Sequence, residues 1–307
     1  MTEPGTSWRR PAVRSRGVAR IGPVAGDREV GASAASTGVG GETGPGRPRQ
    51  PGIGRLGRER ALSATVLGFT GPPRVVAFVS GKGGVGTTST AAAVAATLAV
   101  LVPGTVALAD VHSGAASLAQ RLGGVPGTDA TTFATGTVDP ARAAGVAVVD
   151  GTPWDTPLLR PALVRLVMDL REDHRYTLLD IGDDASDVGH AALARADRVV
   201  VVTTGAADAV AATVRTLDRL RGIDPDRAET ATVVVVGARR FGRREGTGRP
   251  ILPVARERIV MVPWDPALRD GALIDLERLR RSSRAAYLPV AAPVSADQPQ
   301  SGDPARG

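Results

Sequence analysis

SGKGGVGTTST, residues 80–90, is the stretch from which the rest of the chain is read. A short apolar run, RVVAFVS (74–80), leads into it, and an Ala-rich run continues behind it to about residue 101. That order predicts a strand, a glycine-rich loop and a helix. Gly81, Gly83, Gly84 and Gly86 let the backbone curl and turn its N–H groups inward. The helix behind them adds the positive end of its dipole, so the loop suits a phosphate group. An ordinary turn in a chain with 38 glycines is the plain alternative, but it explains neither the strand before nor the helix after. Thr87 stands where a loop of this kind usually carries a phosphate-gripping lysine.

Outward from the loop, strand and helix patterns alternate. TVALAD (105–110), GVAVVD (145–150), YTLLDIG (176–182), RVVVVTT (198–204), TVVVVGA (232–238) and RIVMVP (258–263) read as further strands. Helical patterns fall around Leu163, Leu166, Val167 and Leu170, over 206–221, and over 283–291. The strands are apolar on both faces, as strands buried between helix layers are. The expected fold is therefore α/β: a mostly parallel sheet with helices on both faces, joined by right-handed crossovers.

Composition bounds the function. Of 307 residues 42% are hydrophobic, enough for a substantial core, and there is no cysteine, which excludes disulfides and thiolate metal sites. His112, His174 and His190 lie far apart in sequence and suggest no metal cluster. Residues 1–60 carry 11 arginines and 5 acidic residues, so 11 − 5 = +6 of the +7 net charge sits in an N-terminal arm. This Gly/Pro/Arg-rich segment, taken as 1–72, is expected to be disordered, as is a tail over 293–307, leaving a folded domain over 73–292. No apolar run is long enough to span a bilayer, and no apolar segment follows the Arg9-Arg10 pair as an export signal requires. Lys82 is the single lysine among 38 basic residues. Its place inside the loop suggests a site where a compact ammonium fits and a planar guanidinium does not.

The loop closely resembles that of the MinD/ParA superfamily, the deviant Walker A P-loop ATPases, whose pattern is KGGxGK[ST]. Here it runs Lys82-Gly83-Gly84-Val85-Gly86-Thr87-Thr88. The resemblance implies nucleotide binding by Gly81, Lys82, Gly83, Gly84, Val85, Gly86, Thr87, Thr88 and Ser89. It implies that Lys82 reaches across a homodimer to the partner's nucleotide, and that Thr87 replaces the lysine that grips the β- and γ-phosphates. Asp110 matches the first position of the family's DxD pattern and His112 replaces the second. Lys82 and Asp110 are thus the implied catalytic residues, and Thr88 and Asp180, the latter a Walker B carboxylate at a strand end, the implied Mg²⁺ residues. The implied cofactors are ATP and Mg²⁺. The segment 261–292 resembles a branch of the family found beside type VII secretion and related envelope machines, and the GGVGTT variant also occurs in polar pilus-assembly members. That implies a cytoplasmic protein, peripheral to the membrane through a protein partner.

A lysine about 4 Å from a phosphate charge contributes roughly 4 kcal/mol at an effective dielectric near 20, and Thr87 forfeits most of it. Binding is expected to survive on backbone amides and Mg²⁺, with hydrolysis slow or lost, because phosphoryl transfer depends on stabilising developing charge. A nucleotide-free scaffold and a DNA-partition ATPase are the competing readings. The second rests on four arginines in RRFGRR (239–244), which solvation alone explains, so nucleic-acid binding is not favoured. The acidic group Asp183, Asp184 and Asp187 reads as helix capping by Asp184 or Ser186 in preference to a metal site.

Overall fold

The computed structural model describes residues 54–114, 117–238, 252–271 and 273–296. Most of the expected arm (1–53), the end of the tail (297–307) and the RRFGRR loop lie outside the described residues.

One sheet organises the domain. Its strands are β1 (Arg74–Ser80), β2 (Val106–Asp110), β3 (Ala141–Ala143), β4 (Val146–Val149), β5 (Tyr176–Gly182), β6 (Arg198–Thr204), β7 (Thr232–Ala238) and β8 (Ile259–Pro263). Their order is β3-β4-β2-β5-β1-β6-β7-β8, and every pair is parallel except β3 with β4. The sheet is thus mostly parallel, as expected. The antiparallel edge strand β3 has no sequence signature. It forms because Ala144 (φ 48°) and Gly145 (φ 78°) make a two-residue hairpin turn with positive φ at both positions.

The helices are α1 (Arg55–Leu67), α2 (Thr87–Leu101), α3 (Leu118–Arg121), α4 (Ala130–Phe133), α5 (Arg160–Asp173), α6 (Asp187–Arg195), α7 (Ala207–Ile223), α8 (Pro225–Thr230) and α9 (Arg281–Ser295). Two apolar cores lie on opposite faces of the sheet. In β1, Val76 and Phe78 enter the core shared with α1, α2 and α9, while Val75, Ala77 and Val79 enter the core shared with α5, α6 and α7. This is the period-two alternation of a strand buried on both sides. Helix α2 is buried from Thr90 through Ala99, and its small alanines let it lie between sheet and α9.

Two boundaries differ from expectation. Residues 55–67, read as part of the arm, form α1. Its only fully buried residue is Val66, with Leu62 packed partly against the same core, so tertiary docking on α9 and α2 and not an apolar repeat sustains it. The chain after it is pinned by Phe69, whose carbonyl accepts from Arg175 Nη1 at 3.0 Å and whose ring packs on Tyr176 with centroids 5.8 Å apart. At the other end α9 continues through Pro289 and Pro293 to Ser295, beyond the expected stop at 292. Its last turn is held by Tyr176 Oη donating to Ser295 Oγ at 2.9 Å and Arg198 Nη2 donating to the Ala296 carbonyl at 2.8 Å. Among the described residues, no helix is long and apolar enough to cross a membrane.

β1 lies between β5 and β6, so the chain leaves its two sides in opposite directions. The crevice beyond the carboxyl ends of these strands is where open α/β sheets bind ligands. Ser80, Asp110 and Asp180 all reach it.

Candidate functional site

The loop between β1 and α2 has the form its sequence predicts. Gly86 caps α2 at φ 93°, a left-handed conformation that a side chain would strain. Gly81 is demanded by packing: a Cβ there would stand 2.4 Å from the Ala212 carbonyl oxygen of α7. Thr87, Thr88 and Ser89 form the first turn of α2, with Thr87 buried. Their backbone N–H groups have no carbonyl one turn earlier in the helix and are open to an anion.

Strand register brings the carboxylates together. Asp110 pairs with Asp180 across β2 and β5, and Phe78 pairs with Asp180 across β1 and β5. Asp180 is 0% exposed, and neither carboxylate oxygen has a hydrogen-bond partner among the described residues. Burial, then the neighbouring Asp110 charge, raises its proton affinity from the ordinary 3.8 to about 7. The Thr88 hydroxyl opposes that shift from short range without reaching hydrogen-bonding geometry. A fully buried carboxylate lacking any partner is expensive unless a cation joins it. These residues could hold a divalent cation: Asp110 lies beside Asp180, and the Thr88 hydroxyl is close to it.

His112 completes the acidic group. One ligand atom from each of Asp110, His112 and Asp180 lies within 4.8 Å of the others. Its Nδ1 and its backbone N–H both contact Asp110 Oδ1 at 2.9 Å. The ring crosses Gly182, where a Cβ would come within 2.4 Å of Nε2. The Asp110 hydrogen bond, opposed by burial and reinforced by the Asp110, Asp180 and Asp184 charges, lifts the imidazole to about 9. His112 is therefore an imidazolium at neutral pH. It donates protons in its contacts and is no base for an attacking water.

A raised histidine pKa favours the folded state only while the ring is protonated. Its contribution is complete below 6.5 and disappears as pH rises through 9. Thermal denaturation of the ligand-free protein is expected to show stability falling across that window by on the order of 2–3 kcal/mol. The His112→Gln variant is expected to lose most of this slope.

Lys82 projects from the loop and forms an ion pair with Asp208 in the first turn of α7. The pair holds Asp208 below the usual carboxylate range, mainly through the Lys82 hydrogen bond. The lysine expected to serve a partner subunit is thus tethered within its own. Asp208 had no signal beyond an acidic residue at a helix start. Of the acidic group after β5, Ser186 caps α6 by accepting from Val188 and Gly189 N–H, while Asp184 accepts from the Ser186 N–H and hydroxyl. The capping expectation is met, and Asp183 lies against Gly83, 3.3 Å from where a Cβ would be.

Two further residues enter the site without a sequence signal. Asp150, just after β4, accepts from Ala119 N–H at 2.9 Å, Ser117 Oγ at 2.8 Å and Gly127 N–H at 2.9 Å. It thereby fixes α3 beside the loop. At the end of α3, Arg121 Nη2 donates to Ser89 Oγ at 2.8 Å. In a chain where arginine serves nearly every basic position, nothing in the sequence distinguishes this one.

The fold is that of the MinD/ParA group of P-loop ATPases. The chain is similar to MinD in the MinC:MinD cell division complex of Aquifex aeolicus, with 20% identity, a TM-score of 0.59, and coverage of 74% of this chain and 97% of that one. It is similar to a ParA family ATPase from Chlorobium tepidum TLS at 19% identity, TM-score 0.57, covering 72% and 98%. It is also similar to the septum site-determining protein MinD of Pyrococcus horikoshii OT3 complexed with Mg-ADP, at 19% identity, TM-score 0.52, covering 71% and 94%. No protein-family model and no curated protein matches the sequence.

Proposed function

We propose that this protein is a MinD/ParA-like nucleotide-dependent switch that binds ATP with Mg²⁺ at residues 81–89 and dimerises when loaded. The observation that carries this reading is Asp180, a buried carboxylate with no hydrogen-bond partner among the described residues, delivered by a parallel strand beside a phosphate-shaped loop. Backbone amides of the loop and the first turn of α2 bind the phosphates. Thr88 and Asp180 hold Mg²⁺, which when bound neutralises charge on the triphosphate. Hydrolysis is slow or absent, because Thr87 brings no charge to the phosphates and His112 stands where a water-orienting carboxylate is expected. The task that suits the closing segment is positioning or regulating a secretion, envelope or partition apparatus, from the cytoplasm, through a protein partner.

Lys82 is the element that couples nucleotide to assembly. It must leave Asp208 before it can serve a second subunit, so the ion pair opposes dimerisation in the empty state. Exposed pairs are weak, so the opposition is small and reversible.

Titration of the full chain with a fluorescent ATP analogue, with and without Mg²⁺, tests the reading. Saturable binding that requires Mg²⁺ is expected, with sedimentation showing dimer only when ATP is present. Asp208→Ala is expected to shift ATP-dependent dimerisation a few-fold towards lower protein concentration, and Lys82→Ala to prevent it. Absence of binding at concentrations where the protein self-associates would replace this reading with a nucleotide-free scaffold, the alternative that the Thr87 and His112 substitutions favour.

A further inference from the structure

We infer that Arg121 is the resident phosphate-binding cation of this site, supplying from α3, within the same subunit, the charge that Thr87 does not. The inference rests on the nucleotide reading above and adds to it a residue outside the loop motif.

Among the described residues, three cationic side chains lie at the loop or bond to it, and their partners separate them. Lys82 is paired with Asp208, and His112 is bonded to Asp110. Arg121 makes no ion pair among the described residues. The one hydrogen bond its side chain makes there goes to a neutral hydroxyl, Ser89 Oγ, and its Nε is buried without a partner. A guanidinium has five N–H donors in a planar fork. Half-buried and with no ion pair among the described residues, it is matched by an anion with several acceptor oxygens, which a polyphosphate provides. Burial lowers its proton affinity, opposed in part by the Asp180 and Asp110 charges, and neither carboxylate bonds to it.

Its placement is specific. Ser89 is the third residue of α2, in the turn whose amides face the phosphate position, so Nη2 lies at the rim of the cradle. The base of the side chain is fixed twice. Asp150 clamps α3 through Ala119 and Ser117, and the Arg121 carbonyl accepts from the Ile274 N–H at 2.6 Å. Thr87, replacing the usual lysine, leaves no charge in the first turn of α2 to repel a second cation.

Full-length wild type, Arg121→Gln, Thr87→Lys and the double variant are titrated with a fluorescent ATP analogue in Mg²⁺, with melting temperatures recorded for each. Arg121→Gln is expected to weaken binding at least ~10-fold, a loss of about 1.4 kcal/mol, with little change in melting temperature. Thr87→Lys is expected to restore the double variant to within a few-fold of wild type, since a cation returns to the same charge. Thr87→Lys alone is expected to gain less than it gains in the Arg121→Gln background. Unchanged binding by Arg121→Gln, where wild type binds, overturns the inference and leaves the nucleotide reading standing. A loss that Thr87→Lys does not repair marks Arg121 as structural and overturns it too. Failure of wild type itself to bind removes the nucleotide reading and the inference with it.

Discussion

Replacing Asp180 with asparagine is expected to abolish Mg²⁺-dependent ATP binding while making the ligand-free protein more stable at neutral and alkaline pH. Both effects have one cause. The carboxylate is fully buried, its two oxygens have no hydrogen-bond partner among the described residues, and Asp110 faces it from the adjacent strand. Its proton affinity rises from 3.8 to about 7, because the folded protein resists ionising it. Below pH 4 both folded and unfolded chains hold the proton and the group costs nothing. The cost then grows with pH and is complete above about 7. It is on the order of a few kcal/mol, and an amide of the same shape removes it. The divalent cation that would offset the cost loses its charged ligand in the same substitution. Circular dichroism melts at pH 5 and pH 8, beside nucleotide titrations with and without Mg²⁺, separate the two effects. A melting temperature at pH 8 that falls in Asp180→Asn would show the carboxylate to be satisfied in the free protein. Such a trade of stability for function is usual where a site holds charge in readiness.

Gly81→Ala has the second largest expected effect, and it tests packing in place of charge. A methyl group at residue 81 meets the Ala212 carbonyl oxygen at 2.4 Å, its carbon at 2.5 Å and Thr216 Oγ1 at 2.8 Å. The first two are backbone atoms in the middle of α7 and cannot rotate away. Either α7 or the phosphate loop must move, at a cost of about 1–3 kcal/mol. For a domain of this size that corresponds to a fall of roughly 2–12 °C in melting temperature. The displaced loop is expected to bind nucleotide at least tenfold more weakly. Gly205→Ala is the control, since nothing lies within 4 Å of a Cβ there. Equal melting temperatures for the two variants would mean that α7 does not rest on the loop.

The sheet was legible because its signals are local. Seven apolar runs of β-branched residues match seven of the eight strands, and 74–80, 176–182, 198–204 and 232–238 match to the residue. Burial on both faces writes each central strand as a continuous apolar run, and turn residues bound it. The loop was legible for the same reason: curling the backbone requires glycines at fixed spacing. The missed elements have weak local signals. β3 is three residues long, and its turn contains an alanine at positive φ. Helix α1 buries a single residue fully. Helix α9 runs through two prolines because Tyr176 and Arg198, from β5 and β6, hold its last turn.

The site divides along the same line. From the amino-acid order alone came the parallel α/β sheet, the phosphate-shaped loop, the carboxylates at the ends of two strands, and the two departures at Thr87 and His112. Each is a statement about neighbours in the chain, where periodicity and spacing operate. What surrounds the loop was decided only by folding. Lys82 meets Asp208 across 126 residues and Arg121 meets Ser89 across 32, and strand order, not spacing, brings Asp110 beside Asp180. Charge interactions act through space, so the cation that answers a missing lysine can stand on any element that the sheet carries to the crevice.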